Sequence, residues 1–388
     1  MKKKIGFFLL FLMLHYVNSF AQDEWKPQTH FTGYLNSIIE YSDHSNISAL
    51  GSPTEKHKGI GLAQAGFLAT YKPLEKLEIK STLVYSPWTR SLHDVVVETF
   101  GQYTFNQGFK LGAGKFLTPL SPSNLYYYAP LNPSGVLPMV VSHHMFFPQS
   151  VSGIQIAGSF GENLRVNYNV TYGNYYITDH VEGGIIGIQG QEEIVPFSGH
   201  YEVYEGNIPK SYLGGSGRLS FDFKEIGTLG LNIFEGTESN LVVLDAATGN
   251  VSSLEEAKQR SLGVDLHLNI QKFKLNAEYW NADLKTTEST PIFSLVYKGY
   301  YAELTYDAGA FKPWVRYEYI EDAKAVFTDG SLVDLPMASY SGGIAYRPFY
   351  ETIFKLEYRR MLVEKYQKTS YTNFKDYNYY LFSFVFSF

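Results

Sequence analysis

The last thirteen residues, Asp376–Phe388, most constrain what this chain can fold into. Side chains on a strand alternate between two faces, so one face of this segment is an unbroken aromatic row. The row consists of Tyr380, Phe382, Phe384, Phe386 and Phe388. A soluble sheet would have to bury it under another layer, whereas a bilayer provides an apolar solvent directly. Because about 9–11 tilted residues span the hydrocarbon, the segment is long enough to be a transmembrane strand.

The first 21 residues have the three regions of a secretory signal peptide. Lysines at positions 2–4 precede the apolar run Ile5–Leu14, and Ala21 offers a small residue for cleavage before Gln22. A membrane anchor is the alternative, but the run is shorter than the ~20 residues that a spanning helix needs. We therefore expect residues 1–21 to be removed and residues 22–388 to form one exported domain.

Composition favours β structure and excludes two classes of function. The chain has 32 Tyr, 28 Phe and 34 Gly, and strand-favouring aromatics occur throughout. It has no cysteine, so neither disulfides nor thiol chemistry are expected. Loss of the signal lysines would leave 29 of the 32 basic residues against 38 acidic ones, a net charge near −9. This balance argues against nucleic acid as a partner.

Alternation of apolar and polar side chains recurs along the whole chain. In Leu164–Gly173, for example, apolar residues occupy one face while Arg165, asparagines and a threonine occupy the other. About sixteen segments fit, within a range of fourteen to eighteen. They are Phe31–Tyr41, Leu62–Tyr71, Leu77–Tyr85, Val95–Phe105, Phe109–Phe116, Ile154–Phe160, Leu164–Gly173, Leu213–Phe223, Leu229–Phe234, Arg260–Ile270, Phe273–Trp280, Tyr297–Tyr306, Pro313–Ile320, Tyr340–Tyr346, Ile353–Met361 and the terminal segment.

The connections between these segments alternate between short turns and long loops. The long ones are Ser42–Lys58, Ser86–Asp94, Leu117–Ser150, Asn174–Ser211, Glu235–Gln259, Ala282–Thr290, Glu321–Pro336 and Leu362–Lys375. Short periplasmic turns and long extracellular loops are typical of outer-membrane barrels. A soluble β-sandwich also alternates, but its inner faces need a partner sheet. The sequence therefore predicts an all-β fold, a transmembrane antiparallel β-barrel of about 16 strands.

The inward-facing positions predicted by this pattern are polar and charged, with both signs interleaved. So many charges would be costly in a dry core, so we expect water between them in a lumen that sixteen strands leave open. The predicted lumen charges are Glu78, Lys80, Glu98, Lys110, Arg165, Arg218, Asp222, Asp265, Lys274, Glu278, Glu303, Arg316, Glu318, Lys355, Glu357 and Arg359.

The third long loop, Leu117–Ser150, carries six prolines, which stiffen a backbone without forming strands. By position and length it resembles the third loop of sixteen-strand porins, which folds into the lumen. An ordinary loop packed on the outer rim is the alternative. If the loop turns inward, the candidate constriction residues are Tyr126, Tyr127, Tyr128, His143 and His144, opposed by Arg165, Arg218 and Arg316 from the wall.

The chain also resembles the Bacteroidetes-type outer-membrane porins of the porin-2, OmpL-like group, which are similar to phosphate-selective porins. The matching features are Gly114-Lys115-Phe116-Leu117-Thr118-Pro119 at the entry to the proline-rich loop, the strand rhythm, and the C-terminal strand ending at Phe388. The last of these resembles the assembly signal read by the barrel assembly machinery. The resemblance implies passive diffusion of small polar solutes through a barrel whose outer surface contacts outer-membrane lipids. A homotrimer is common among such porins.

Two other functions remain open. A barrel hydrolase is weakly supported because the sequence has no Gly-x-Ser-x-Gly elbow, no P-loop and no His-Glu-x-x-His motif. We expect no cofactor and no metal, because adjacent residues such as His143 and His144 point apart on an extended chain. An accessory barrel that docks a protein partner has the same sequence signature as a porin, so the sequence does not separate the two.

Overall fold

In a computed structural model, sixteen of the eighteen strands form a closed antiparallel barrel. The structure describes residues 25–42, 57–86, 95–125, 128–142, 146–176, 211–244, 251–286, 294–321, 325–326, 332–333, 337–363 and 376–388. The predicted fold class and strand number are confirmed. The expected signal peptide and the residues Tyr126, Tyr127, His143 and His144 lie outside the described ranges.

The strands follow one another around the barrel in chain order. Their bounds are β1 Gln28–Ser42, β2 His57–Leu74, β3 Leu77–Tyr85, β4 Val96–Asn106, β5 Phe109–Leu117, β6 Ser150–Phe160, β7 Leu164–Tyr176, β8 Ser211–Phe223, β9 Gly227–Leu244, β10 Val251–Ile270, β11 Phe273–Thr286, β12 Ser294–Tyr306, β13 Phe311–Glu321, β14 Ala325–Val326, β15 Leu332–Val333, β16 Met337–Phe349, β17 Thr352–Val363 and β18 Tyr377–Ser387. The short β14 and β15 pair only with each other, inside one long connection. Two short helices, α1 Pro122–Leu125 and α2 Met139–Ser142, lie in the connection between β5 and β6.

The barrel closes where the last strand pairs with the first. Tyr34 lies opposite Ser387 in the register of β1 and β18. Gly33 and Phe388 exchange two backbone hydrogen bonds, with N···O distances of 2.8 and 2.9 Å. The Phe388 ring packs over the face of Gly33, where a Cβ would lie 2.5 Å from the ring. Both ends of the barrel domain therefore meet at the end that carries the short turns.

The outer surface is apolar and the inner surface is polar, as the period of two requires. On β18, Phe382 is 40% exposed while the next inward residue, Ser383, is fully buried. The aromatic row found in the sequence lies on the outer face. Exposed apolar side chains on every side of a closed barrel are favourable in lipid and unfavourable in water. In the part of the chain that the structure describes, no helix combines the length and the apolar character needed to cross a membrane.

Two strands extend well beyond their predicted ends. The sequence places a long loop at Glu235–Gln259, whereas β9 and β10 remain paired up to Val251 opposite Leu244. The loop prediction was wrong because lipid-facing alternation ends where the strands leave the bilayer, although backbone pairing continues. A two-stranded ribbon therefore projects from the extracellular end.

Candidate functional site

We call the connection between β5 and β6, residues 118–149, the lumen loop, because its described parts, residues 118–125, 128–142 and 146–149, lie inside the barrel rather than on its rim. Its two ends are tied together where it leaves the wall. The Thr118 amide donates to the Gln149 carbonyl at 2.8 Å. The Asn124 amide group donates to the carbonyls of Thr118 at 2.9 Å and Gln149 at 3.1 Å. This base fixes the direction in which the loop enters the lumen.

The first limb of the loop crosses to β11 and β12. Ser121 donates to Glu278 Oε1 at 2.7 Å, and the same oxygen accepts a hydrogen bond from Tyr301 at 3.0 Å. The other oxygen of Glu278 accepts from Trp280 Nε1 at 3.0 Å. Ser123 and Tyr301 are joined at 2.6 Å between their hydroxyls. The buried Glu278 carboxylate therefore holds the start of α1 against the wall across the lumen from β5.

The tip of the loop reaches down to the periplasmic end of the barrel. Lys355 Nζ donates to the carbonyls of Ala129 at 2.7 Å and Ser134 at 2.9 Å. Arg347, two residues from the end of β16, donates to the Pro130 carbonyl at 2.7 Å. Leu131, the next residue of the tip, is 59% exposed. The loop thus spans most of the height of the lumen instead of forming a narrow shelf at its middle.

The returning limb runs along the inner face of β17 and contacts successive inward-facing residues. The Gly135 amide donates to Glu357 Oε2 at 2.8 Å, and Arg359 reaches the Leu137 carbonyl at 3.5 Å. The Met139 amide then donates to Glu318 Oε1 at 3.1 Å. Because residues 355, 357 and 359 face inward in succession, these contacts hold residues 134–139 along the wall.

Aromatic and aliphatic packing fixes the upper part of the loop. Phe147 packs on Trp280 with ring centroids 4.4 Å apart. Val140 of α2 and Phe146 lie over Gly299 of β12, whose missing side chain makes room for them. Phe146, Phe147 and Val140 are each at most 1% exposed. This apolar contact adds to the polar contacts of the tip.

A network of buried charges lies beneath the returning limb. Arg316 forms ion pairs with Glu303 at 2.6 Å and Glu318 at 3.5 Å, and Arg359 lies 3.5 Å from Glu318. Arg316 also donates to the Val136 carbonyl at 3.0 Å and to Ser134 Oγ at 2.7 Å. These lumen charges were expected to face water. In this part of the wall the loop takes the place of that water, so they hold the loop instead.

Tyr128 contacts a second acidic group on the opposite side of the lumen. Its hydroxyl donates to Glu98 at 3.0 Å, and Glu98 also binds Lys80 at 2.5 Å and accepts from Thr82 at 2.9 Å. The Tyr128 ring stands edge-on to Tyr34, with centroids 6.5 Å apart. Burial raises the pKa of the Tyr128 hydroxyl far above its ordinary value.

The three arginines expected to oppose the loop are not brought together. Arg316 binds the loop, as described above, and Arg218 on β8 forms an ion pair with Asp265 at 2.6 Å. Asn232 donates to the other oxygen of Asp265 at 2.8 Å. Arg165 is exposed near the turn that precedes β7. Asp222 lies opposite Arg165 in the register, and Lys274 and Glu78 occupy the same end of the barrel.

Several residues that position the loop were missed from the sequence. They are Ser121, Ser134, Tyr301 and Arg347. Serines in a proline-rich loop resemble ordinary turn residues, and Tyr301 was one aromatic among many. Nothing local in the sequence links them to their partners. Among the described residues, groups of three or more His, Asp or Glu side chains with metal-binding geometry are absent.

No protein-family model and no curated protein sequence matches this chain. Solved structures do match it over nearly their whole length. OmpT of Vibrio cholerae in its trimer form is 14% identical, with a TM-score of 0.57 over 94% of this chain and 100% of that one. An anion-selective porin from Comamonas acidovorans is 9% identical, with a TM-score of 0.60 over 94% and 100%.

The outer membrane channel DcaP of Acinetobacter baumannii is 9% identical, with a TM-score of 0.59 over 95% of this chain and 99% of that one. Identities this low establish a common architecture and nothing finer. The chain therefore has the fold of outer-membrane porins and channels.

Proposed function

We propose that this protein is an outer-membrane porin that lets small polar solutes or ions diffuse passively through its lumen. The observation that carries the proposal is a polar-lined barrel of sixteen strands whose lumen contains an inward-folded loop. Its outer surface suits lipid, and its architecture is that of known porins and channels. The proposal includes export with cleavage of residues 1–21 and membership of the Bacteroidetes-type, porin-2-like group.

The lumen loop is the proposed constriction. Its path across the lumen, from Ser121 at β11 to Pro130 at the periplasmic end, supports this role. Tyr126, Tyr127, His143 and His144 stay candidates for the constriction surface, whereas the contacts of the buried Tyr128 favour an anchoring role. Arg218 and Arg165 are the proposed wall charges that tune passage, whereas the contacts of Arg316 favour an anchoring role.

The proposal includes neither an enzymatic activity nor a cofactor, and it makes the protein a homotrimer. The trimer form of OmpT, which has the same fold, supports trimerisation. The aromatic row ending at Phe388 is proposed to direct barrel assembly, and its place at the closing seam supports this. Removal of Phe388 should lower the amount of heat-modifiable, folded barrel in the outer membrane. An unchanged amount would argue against the assembly role.

A non-conducting accessory barrel is the second candidate, and the depth of the lumen loop favours it. A loop that runs from the extracellular end of β5 to Arg347 occupies much of the lumen and is held by buried charges. Such a barrel would present its extracellular loops, including the β9–β10 ribbon, to a protein partner.

Single-channel conductance in planar bilayers separates these candidates. The intact protein should conduct steadily, and deletion of Asn124–Val140 should raise the conductance. Deletion of residues 245–250, which connect β9 to β10 in the chain, is a control that should leave the conductance unchanged. A closed intact barrel that opens only on loop deletion would make the loop a plug. Silence from every variant would support the accessory barrel.

A further inference from the structure

The inner face at the periplasmic end carries a ring of cations at one height. Four strands that rise from periplasmic turns have an apolar first residue and a basic second residue. The pairs are Phe109-Lys110 on β5, Leu164-Arg165 on β7, Phe273-Lys274 on β11 and Phe311-Lys312 on β13. The four apolar residues are all exposed on the outer face. Alternation therefore points each cation into the lumen mouth.

Three of these cations form no direct ion pair with a described residue. Lys312 pairs with Asp307 at 3.3 Å, but among the described residues no carboxylate lies within 4.0 Å of Lys110, Arg165 or Lys274. Arg165 and Lys274 are exposed and Lys110 is half-buried. Charges in this state act on whatever enters the water around them.

Few carboxylates are free to neutralise the charge of the ring, because most are paired or buried. At the same end, inward-facing Glu78 is paired with Lys72 at 3.1 Å, which leaves Asp222 as the acidic residue opposite Arg165. Higher in the lumen the inward-facing acidic side chains are at most 5% exposed; they are Glu40, Glu98, Asp265, Glu278, Glu303, Glu318 and Glu357. The cations Arg316, Lys355 and Arg359 are buried among them, so the inward-facing charges that meet water are mostly those of the mouth.

The turns themselves contribute little net charge at this mouth. Their basic residues are Lys76, Lys224 and Lys272, and their acidic residues, apart from the paired Asp307, are Glu75, Glu162, Glu225 and Glu351. These nearly cancel and lie around the rim, while the ring points inward. A mouth with low-dielectric walls and an excess of one sign of inward-facing charge concentrates counter-ions.

We propose that the periplasmic vestibule is a binding site for anionic solutes that carry carboxylate, phosphate or sulfonate groups, formed by Lys110, Arg165 and Lys274. This inference deepens the proposed function by naming the charge class of its solutes, and for passage of those solutes it rests on that function. The vestibule potential itself exists whether or not the barrel conducts.

The absence of cysteine allows that potential to be measured directly. Asn269 is exposed, faces inward and lies opposite Lys274 in the register. The variant Asn269→Cys would be treated in detergent with an anionic (sulfonatoethyl) and a cationic (trimethylammonioethyl) methanethiosulfonate. The rate with the anionic reagent is divided by the rate with the cationic reagent, and this ratio is normalised by the same ratio for free 2-mercaptoethanol. A normalised ratio above unity reports a positive local potential. Lys285→Cys, at the extracellular end of the same strand as Lys274, is the control position.

At low ionic strength the normalised ratio at residue 269 should be about tenfold above unity, and about 1 M salt should abolish the excess. Adding Arg165→Gln and Lys274→Gln should remove most of it. Adding Lys285→Gln and Lys298→Gln, the same charge change at the other end, should not. A ratio near unity, or one insensitive to the ring substitutions, would overturn the site. So would a thiol that reacts with neither reagent, since the vestibule would then be closed to water. None of these results depends on conductance, so failure of the site and failure of the pore are distinguishable.

Discussion

The backbone amide of Gly135 donates a hydrogen bond of 2.8 Å to the Glu357 carboxylate, although 222 positions separate the two residues in the chain. A segment of the lumen loop is thereby joined directly to a strand of the wall. The contacts on either side of this bond use the same inward-facing row of β17. The position of the loop therefore depends on the wall residues as much as on the residues of the loop itself.

An engineered disulfide between the loop and the wall should form if the loop occupies this position. A Cβ on Gly135 would lie 3.4 Å from Leu381 Cγ, the atom whose place the sulfur of Leu381→Cys would take, so the two side chains are within bonding reach. We expect Gly135→Cys with Leu381→Cys to cross-link on mild oxidation, measured as a loss of two hydrogens by mass spectrometry. Because the loop already occupies this position, conductance should not change on oxidation. Each single variant is a control, and failure to cross-link would place the loop elsewhere.

Replacing Arg316 alone should lower the unfolding free energy more than replacing Arg316 and Glu303 together. Arg316→Met leaves Glu303 buried without its partner, which should cost about 3–5 kcal/mol of unfolding free energy. Arg316→Met with Glu303→Gln should recover much of that loss. Lys298→Met, at an exposed pair 3.6 Å from Glu321, should cost less than about 1 kcal/mol. Urea unfolding in lipid vesicles measures all three, and equal losses would contradict the burial of this network.

A single methyl group should disturb the upper part of the loop. In Gly299→Ala the new Cβ would lie 2.7 Å from both Val140 Cγ1 and Phe146 Cζ, so the loop must shift. Overpacking of this kind costs about 1–3 kcal/mol. We expect larger or noisier single-channel currents together with lower stability. Gly101→Ala has no atom within 4 Å of its new methyl and should behave as wild type. Identical records for both variants would show that the loop does not rest on β12.

The contribution of Tyr128 should depend on pH in the alkaline range. At pH 8, Tyr128→Phe should lose about 1 kcal/mol, the value of a hydrogen bond to Glu98. Burial raises the pKa of Tyr128 in the folded protein, so the unfolded chain ionises first, near the ordinary value of 10.0. The stabilisation is therefore complete below that pH and is lost as pH rises toward the folded-state pKa.

The measurement is the stability difference between wild type and Tyr128→Phe at pH 8 and pH 10.5. Tyr350→Phe is the control, because that residue is 83% exposed at a periplasmic turn. A difference that grows with pH would contradict a buried, neutral hydroxyl.

The wall of the barrel was predictable because its signal is local. Each segment alternates with a period of two, and Leu164–Gly173 became β7 with its apolar side outward as expected. The same signal fails beyond the bilayer, which is why β9 and β10 were predicted too short. Inward-facing charges were also predictable, since alternation alone places them.

The partners of those charges were not predictable. Whether Glu278 meets water or Ser121 depends on residues 157 positions apart in the chain, and no periodic pattern encodes that distance. The same holds for Lys355, whose placement on the inner wall was expected but whose contacts with Ala129 and Ser134 were not. Alternation in the sequence predicts the inner surface on which the loop rests. The path of the loop depends on contacts between residues that are far apart in the chain, so it is seen only in the folded structure.

The seam between Gly33 and Phe388 has a consequence for biogenesis. The two strands that complete the barrel, β1 and β18, lie furthest apart in the described chain, so the barrel is closed only once these two strands have paired. Until then both terminal strands have free hydrogen-bonding edges and bare aromatic faces, a combination that favours aggregation. Pairing of β1 with β18 therefore removes two exposed edges in one step, and it is the step of barrel formation with the largest separation along the chain.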